Sequence, residues 1–125
     1  MSGPKDFSAT ARAVTATICG QTEVGPVRPG NQDAIVVVSA VAAVTGTRLT
    51  WTGRVPEAGA VVAVVDGMGG YAGGADAAAL AATALAEADP GRAPEDWDAW
   101  FEALSGRITR AGRAWDTPEM GATAA

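Results

Sequence analysis

The 125-residue chain contains no histidine, one cysteine and one lysine. Without histidine there is no Ser-His-Asp or Cys-His relay and no imidazole-ligated zinc, so any chemistry must run on carboxylates, carbonyls and arginines. The lone Cys19 excludes an intramolecular disulfide and a thiolate metal cage, and its place in the pattern is that of a small, half-buried strand residue. Basic residues number 9 against 14 acids, and Lys5 and the scattered arginines form no cluster. The resulting net charge of -5 argues against nucleic-acid or anionic-membrane partners, which need clustered cations. No apolar run reaches membrane-spanning length without Gly, Pro or charge, and the opening M-S-G-P-K-D-F-S lacks the apolar core of a signal peptide. A reducing cytoplasm is the expected compartment.

What is present is a 48% apolar chain with only 18% charged residues, material for a modest core in one domain or part of one. Alternation from Arg12 to Cys19 sets Val14, Ala16 and Ile18 against Thr15, Thr17 and Cys19, which predicts a half-buried strand. Gly20 to Gly30 reads as a connection that ends in R-P-G-N-Q-D, Arg28 to Asp33. Ala34 to Val38, extended by Val41 to Val44, reads as a strand buried on both faces or a strand with a bend. Gly46-Thr47 reads as a turn into T-R-L-T-W-T, where Leu49 and Trp51 alternate with polar residues. Ala60 to Val65 is the next strand, expected to stop at Asp66-Gly67.

From about Gly74 alanines replace the β-branched residues, and a helix is expected up to Asp89-Pro90-Gly91. A second helix should begin near Pro94, with Glu95 and Asp96 in its first turn. Its stripe of Trp97, Trp100, Phe101, Leu104, Ile108, Ala111 and Trp115 reads as core rather than as an aromatic binding platform. Strands in one block and helices in another predict an α+β fold.

Two segments carry candidate chemistry. In V-V-A-V-V-D-G-M-G-G, Val61 to Gly70, an apolar strand delivers the carboxylate of Asp66 into a glycine-rich turn. Gly67 can offer its carbonyl beside that carboxylate, and Gly69 and Gly70 allow close backbone approach to a ligand. A carboxylate, a carbonyl and waters suit a hard divalent ion such as Mg²⁺ or Mn²⁺, whereas the plain reading of Asp-Gly is a turn. In R-P-G-N-Q-D, Arg28 could grip a phosphate and Asp33 could supply a second acid; the plain reading is a polar loop with Asn31 and Asp33 in side-chain turns.

Together, in this order, Arg28, Asn31, Gln32 and Asp33 followed by Asp66, Gly67, Met68, Gly69 and Gly70 resemble the metal-dependent protein phosphatases of the PPM or type 2C family. Glu23 to Arg28, E-V-G-P-V-R, is similar to that family's approach to its arginine, and Met120 to Ala124, M-G-A-T-A, is similar to its M-G-T-T strand start. The resemblance implies the N-terminal half of an α-β-β-α layered sandwich, antiparallel strands followed by two helices, with residues 1–125 a partial domain.

It further implies a phosphoserine/phosphothreonine protein phosphatase that hydrolyses phosphomonoesters through a metal-bridging hydroxide. Asp66 would bridge two Mn²⁺ or Mg²⁺ ions, the Gly67 carbonyl would ligate one, Asp33 would hold metal-bound water, and Arg28 would bind the phosphate. Met68 and Tyr71 stand where many relatives carry a histidine, which leaves proton delivery to water or another group. The family's later metal-binding aspartates have no counterpart among Asp76, Asp89, Asp96, Asp98 and Asp116, so the chain alone is expected to be weakly active or inactive. A C-terminal half or a partner chain completing the sheet is the implied remedy.

Two alternatives stand beside this reading. One is a non-catalytic pseudophosphatase that serves as a partner-binding surface. The other is a dinucleotide site, because Gly67 to Ala72 satisfies G-x-G-x-x-A between a strand and a helix; Asp66 would repel a pyrophosphate there, and Glu87 falls inside the helix.

Overall fold

A computed structural model describes residues 14–39 and 43–125, with residues 70–72 described by their backbone alone. The fold is α+β, with antiparallel strands in two sheets followed by two helices. Strands β1 (Val14–Gln21) and β4 (Arg48–Val55) form a two-stranded sheet. Strands β2 (Asp33–Ser39), β3 (Ala43–Gly46), β5 (Ala60–Met68) and β6 (Gly121–Ala124) form a second sheet in the order β3-β2-β5-β6. Helices α1 (Gly70–Ala86) and α2 (Asp96–Ala114) connect β5 to β6. Among the described residues no helix is long and apolar enough to cross a membrane.

β2 is the spine of the fold, and its unbroken apolar run has a simple cause. Val36 packs with Ala63 and Val65 of β5 against the helices, in a core completed by Ala77, Ala78, Ala81, Leu85, Leu104, Ile108 and Met120. Its neighbours Ile35 and Val37 point the other way, into a smaller core with Leu49, Ile18 and Trp51 of the two-stranded sheet. Successive strand residues face opposite sides, so a strand between two layers must be apolar on both. The layers therefore run from the β1–β4 sheet through the four-stranded sheet to the helix pair.

Several sequence boundaries move. The run expected as one strand, straight or bent, is two antiparallel strands, β2 and β3, paired from Ile35↔Gly46 to Val38↔Ala43. Val41 and Ala42 lie outside the described residues, as do Arg12 at the expected start of β1 and Lys5. Gly46-Thr47 is not a hairpin turn, because β3 and β4 belong to different sheets and the chain changes layer there. β5 does not stop at Asp66-Gly67 but runs on to Met68, carried by pairing with β2 on one side and β6 on the other.

α1 begins at Gly70 rather than Gly74. Gly69, in the left-handed region at φ 122°, turns β5 into it, and a Cβ there would lie 2.5 Å from the Cα of Met120. Cys19 is exposed rather than half-buried, since it lies on the outer face of β1. Most of the α2 stripe is core as expected: Leu104 and Ile108 are buried and Trp97, Trp100 and Ala111 pack against them partly buried, whereas Phe101 and Trp115 remain 40% and 53% exposed.

Leu85 is 1% exposed at the middle of the larger core. Leu85→Ala should destabilise the chain by about 2–5 kcal/mol in urea titrations, the range for buried Leu truncations, whereas Val62→Ala, at a position 48% exposed, should change stability far less.

Candidate functional site

The two sequence motifs meet at one end of the four-stranded sheet. The β2–β5 ladder places Asp33 directly opposite Asp66. The Gly67 amide donates to the Gln32 carbonyl at 3.0 Å, so the adjacent Gln32/Gly67 position is a hydrogen-bonded pair. Antiparallel ladders alternate, and Asp33/Asp66 is therefore a non-hydrogen-bonded pair, the kind in which facing side chains lie closest. Both carboxylates project on the face that carries Ile35 and Val37.

That closeness has an electrostatic signature. Burial pushes the Asp33 carboxyl above its ordinary value of 3.8, and the hydrogen bond with Asp66 and the negative charge of Asp66 push the same way. The Arg28 guanidinium opposes them.

The loop that delivers Arg28 is fastened at both ends. The Thr22 amide donates to the Thr47 carbonyl at 2.7 Å, Asn31 Nδ2 donates to Thr22 Oγ1 at 2.6 Å, and the Asp33 amide donates to Asn31 Oδ1 at 3.0 Å. The expected side-chain turn at Asn31 is thus present. Arg28, Asp33, Asp66 and Gly67 all line a single cleft of about 580 Å³.

Gln32 has a role that motif reading missed. A Cβ on Gly74 would overlap its side-chain oxygen, and a Cβ on Gly67 would overlap the Gly74 carbonyl oxygen. The start of α1, β5 and the residue before Asp33 therefore share a space that only glycines leave open. Gly69 lines the cleft as well, and the space of its missing side chain is occupied by the Met120 backbone. Glu23 and Met68, which the sequence placed in E-V-G-P-V-R and D-G-M-G-G without a role of their own, also line the cleft. Among the described residues there is no group of three or more His, Cys, Asp or Glu side chains able to hold a metal ion.

Comparison of the chain with protein-family models, curated proteins and solved structures returns no match.

Two consequences can be measured. Gly67→Ala should destabilise the fold by about 1–3 kcal/mol through overpacking, while Gly30→Ala, where a Cβ meets nothing within 4 Å, should be nearly neutral.

The second concerns pH. In the folded chain Asp33 keeps its proton above 3.8, where the unfolded chain has lost it, so the folded state binds more protons there. Its stabilising contribution is full below that value and is lost as pH rises through the elevated folded value. In chelator-treated protein Asp33→Asn should raise stability at pH 7 by about 0.2–1 kcal/mol, the scale of facing like charges, and the gain should vanish below pH 3.8.

Proposed function

We propose that the cleft is a phosphomonoester site of the metal-dependent protein phosphatase kind, with Mn²⁺ or Mg²⁺ as cofactor and phosphoserine or phosphothreonine in proteins as substrate. The observation that carries this reading is the convergence of Arg28, Asp33, Asp66 and Gly67, from two separate segments, on one cleft. Arg28 offers a planar fork of donors matched to a phosphate's oxygens. Asp33 and Asp66 offer hard carboxylate oxygens, and the Gly67 carbonyl offers a neutral oxygen beside them.

The donor set fits a hard divalent cation. Two facing carboxylates, one of them driven toward its protonated form, are relieved by a positive ion between them, and oxygen donors select Mg²⁺ or Mn²⁺ over softer metals. A divalent ion held there supplies Lewis acidity and offsets phosphoryl charge. Arg28 orients the phosphate against the carboxylate pair, and the Asn31–Thr22 anchor keeps the arginine's loop in register with it.

A second reading, a non-catalytic partner surface, draws on the lack, among the described residues, of a third acid close enough to share a metal ion with Asp33 and Asp66. Few oxygen donors mean weak metal binding. The dinucleotide alternative is weakened by the antiparallel partners on both sides of β5 and by Asp66 in the cleft.

Calorimetric titration with Mn²⁺ should give a saturable heat with a dissociation constant on the order of 1 mM, consistent with few donors, and Asp66→Asn should abolish it. Slow hydrolysis of p-nitrophenyl phosphate that depends on Mn²⁺, Asp66 and Arg28 supports the enzyme reading. Absence of saturable heat in the wild type favours the partner surface.

A further inference from the structure

Glu23 lines the same cleft as Arg28, Asp33 and Asp66, but it stands outside the cross-strand carboxylate pair. It is exposed, and its carboxylate accepts a hydrogen bond from Gln21 Nε2 at the end of β1. Thr22, between these two residues, is held by Thr47 and Asn31. The acid is thus carried on the same fastened loop as the arginine.

Among the described residues the cleft is lined by three carboxylates and one guanidinium. If the Asp33/Asp66 pair takes a divalent cation and Arg28 takes the phosphate, Glu23 is the lining charge left without a counterpart. Val24, the next residue in the chain, and Met68 are 43% and 50% exposed and line the same cleft. An acid in a cleft that also presents open apolar side chains suits a lysine or arginine, whose alkyl stem covers apolar surface while its head reaches the carboxylate. A free phosphate or small phosphate ester brings no such group, and a cleft of about 580 Å³ has room for more than a phosphate.

We propose that Glu23, with Val24 and Met68, makes the cleft selective for phosphorylated segments that carry a lysine or arginine beside the phosphorylated residue. This deepens, and rests on, the assignment of the cleft as a phosphomonoester site. Glu23 is a specificity residue here: it meets the flanking side chain and not the reacting phosphate.

Binding tests this without requiring turnover. Fluorescence anisotropy, in Mn²⁺ buffer at low ionic strength, would compare phosphoserine peptides that differ only in a flanking Lys, Gln or Glu. Wild-type protein should bind the Lys peptide about two- to fivefold more tightly than the Gln peptide, the scale of an exposed ion pair, with the preference shrinking as salt is added. Glu23→Gln, which keeps a side-chain oxygen for Gln21, should bind all three peptides alike, and Glu23→Lys should reverse the order in favour of the Glu peptide.

Phosphopeptide binding that depends on Arg28 yet shows no Lys preference, or a preference that survives in Glu23→Gln, overturns the role of Glu23 and leaves the phosphate site standing. Failure of every phosphopeptide to bind, or binding unaffected by Arg28→Ala, overturns the phosphate site and the Glu23 role with it.

Discussion

The register between β2 and β5 is the constraint from which the rest of the site follows. It sets Asp33 against Asp66 in the ladder position that brings side chains closest, and it does so with two acids, a pairing that a sheet ordinarily avoids. A slip of β2 by one residue would turn Val36 out of the larger core and Ile35 and Val37 out of the smaller one. The apolar packing on both faces of β2 therefore fixes the pairing that the carboxylates alone would oppose. Hydrophobic burial holds the acids together, and desolvation first, then the hydrogen bond and charge of Asp66, raise the proton affinity of Asp33.

Around that pair, the glycines act as spacers. Gly67 sits in β5 because any side chain would strike the Gly74 carbonyl, and Gly74 is bare because Gln32 fills the space beside it. Gln32 is the residue immediately before Asp33, so its seat against α1 fixes the end of β2 from the helix side. On the loop side, Asn31 performs the matching task by accepting from the Asp33 amide and donating to Thr22. Asn31, Gln32 and Asp33 thus divide the work: one ties the loop, one locks to the helix, and the third presents the acid.

Much of this could be read from the residues, and the limits were physical. The α+β order, the doubly buried β2 and the start of α2, with Glu95 at its N-cap and Asp96 in its first turn, follow from local pattern and charge. The end of β5 did not, because Asp66-Gly67 looks like a turn until β2 and β6 are known to flank it; pairing, not propensity, keeps that segment extended. The change of layer at Thr47 was hidden for the same reason, since nothing local distinguishes a hairpin from a strand that changes sheets. Arg28, Asp33, Asp66 and Gly67 were identifiable as site candidates individually, but the glycine contacts with Gln32 and Met120 depend on tertiary approach alone. Phe101 and Trp115 show the converse: helical spacing placed them on the core stripe, yet both stay largely open while Trp97, Trp100, Leu104, Ile108 and Ala111 pack against the core.

The openness of the cleft and the apolar surface left bare beside it have one cause. The two-stranded sheet covers β2, where Leu49, Ile18 and Trp51 meet Ile35 and Val37, while on the same face of β5 Val62, Val64 and Met68 stay about half exposed. Asp66 belongs to that uncovered row and remains exposed, whereas Asp33, on β2, is partly covered. The two members of a register pair thus experience different surroundings, which is why burial is the leading influence on Asp33. A second sheet wide enough to shield Val62 and Val64 would also close over Asp66, so the exposed valines and the accessible carboxylate are two results of the same narrow layer.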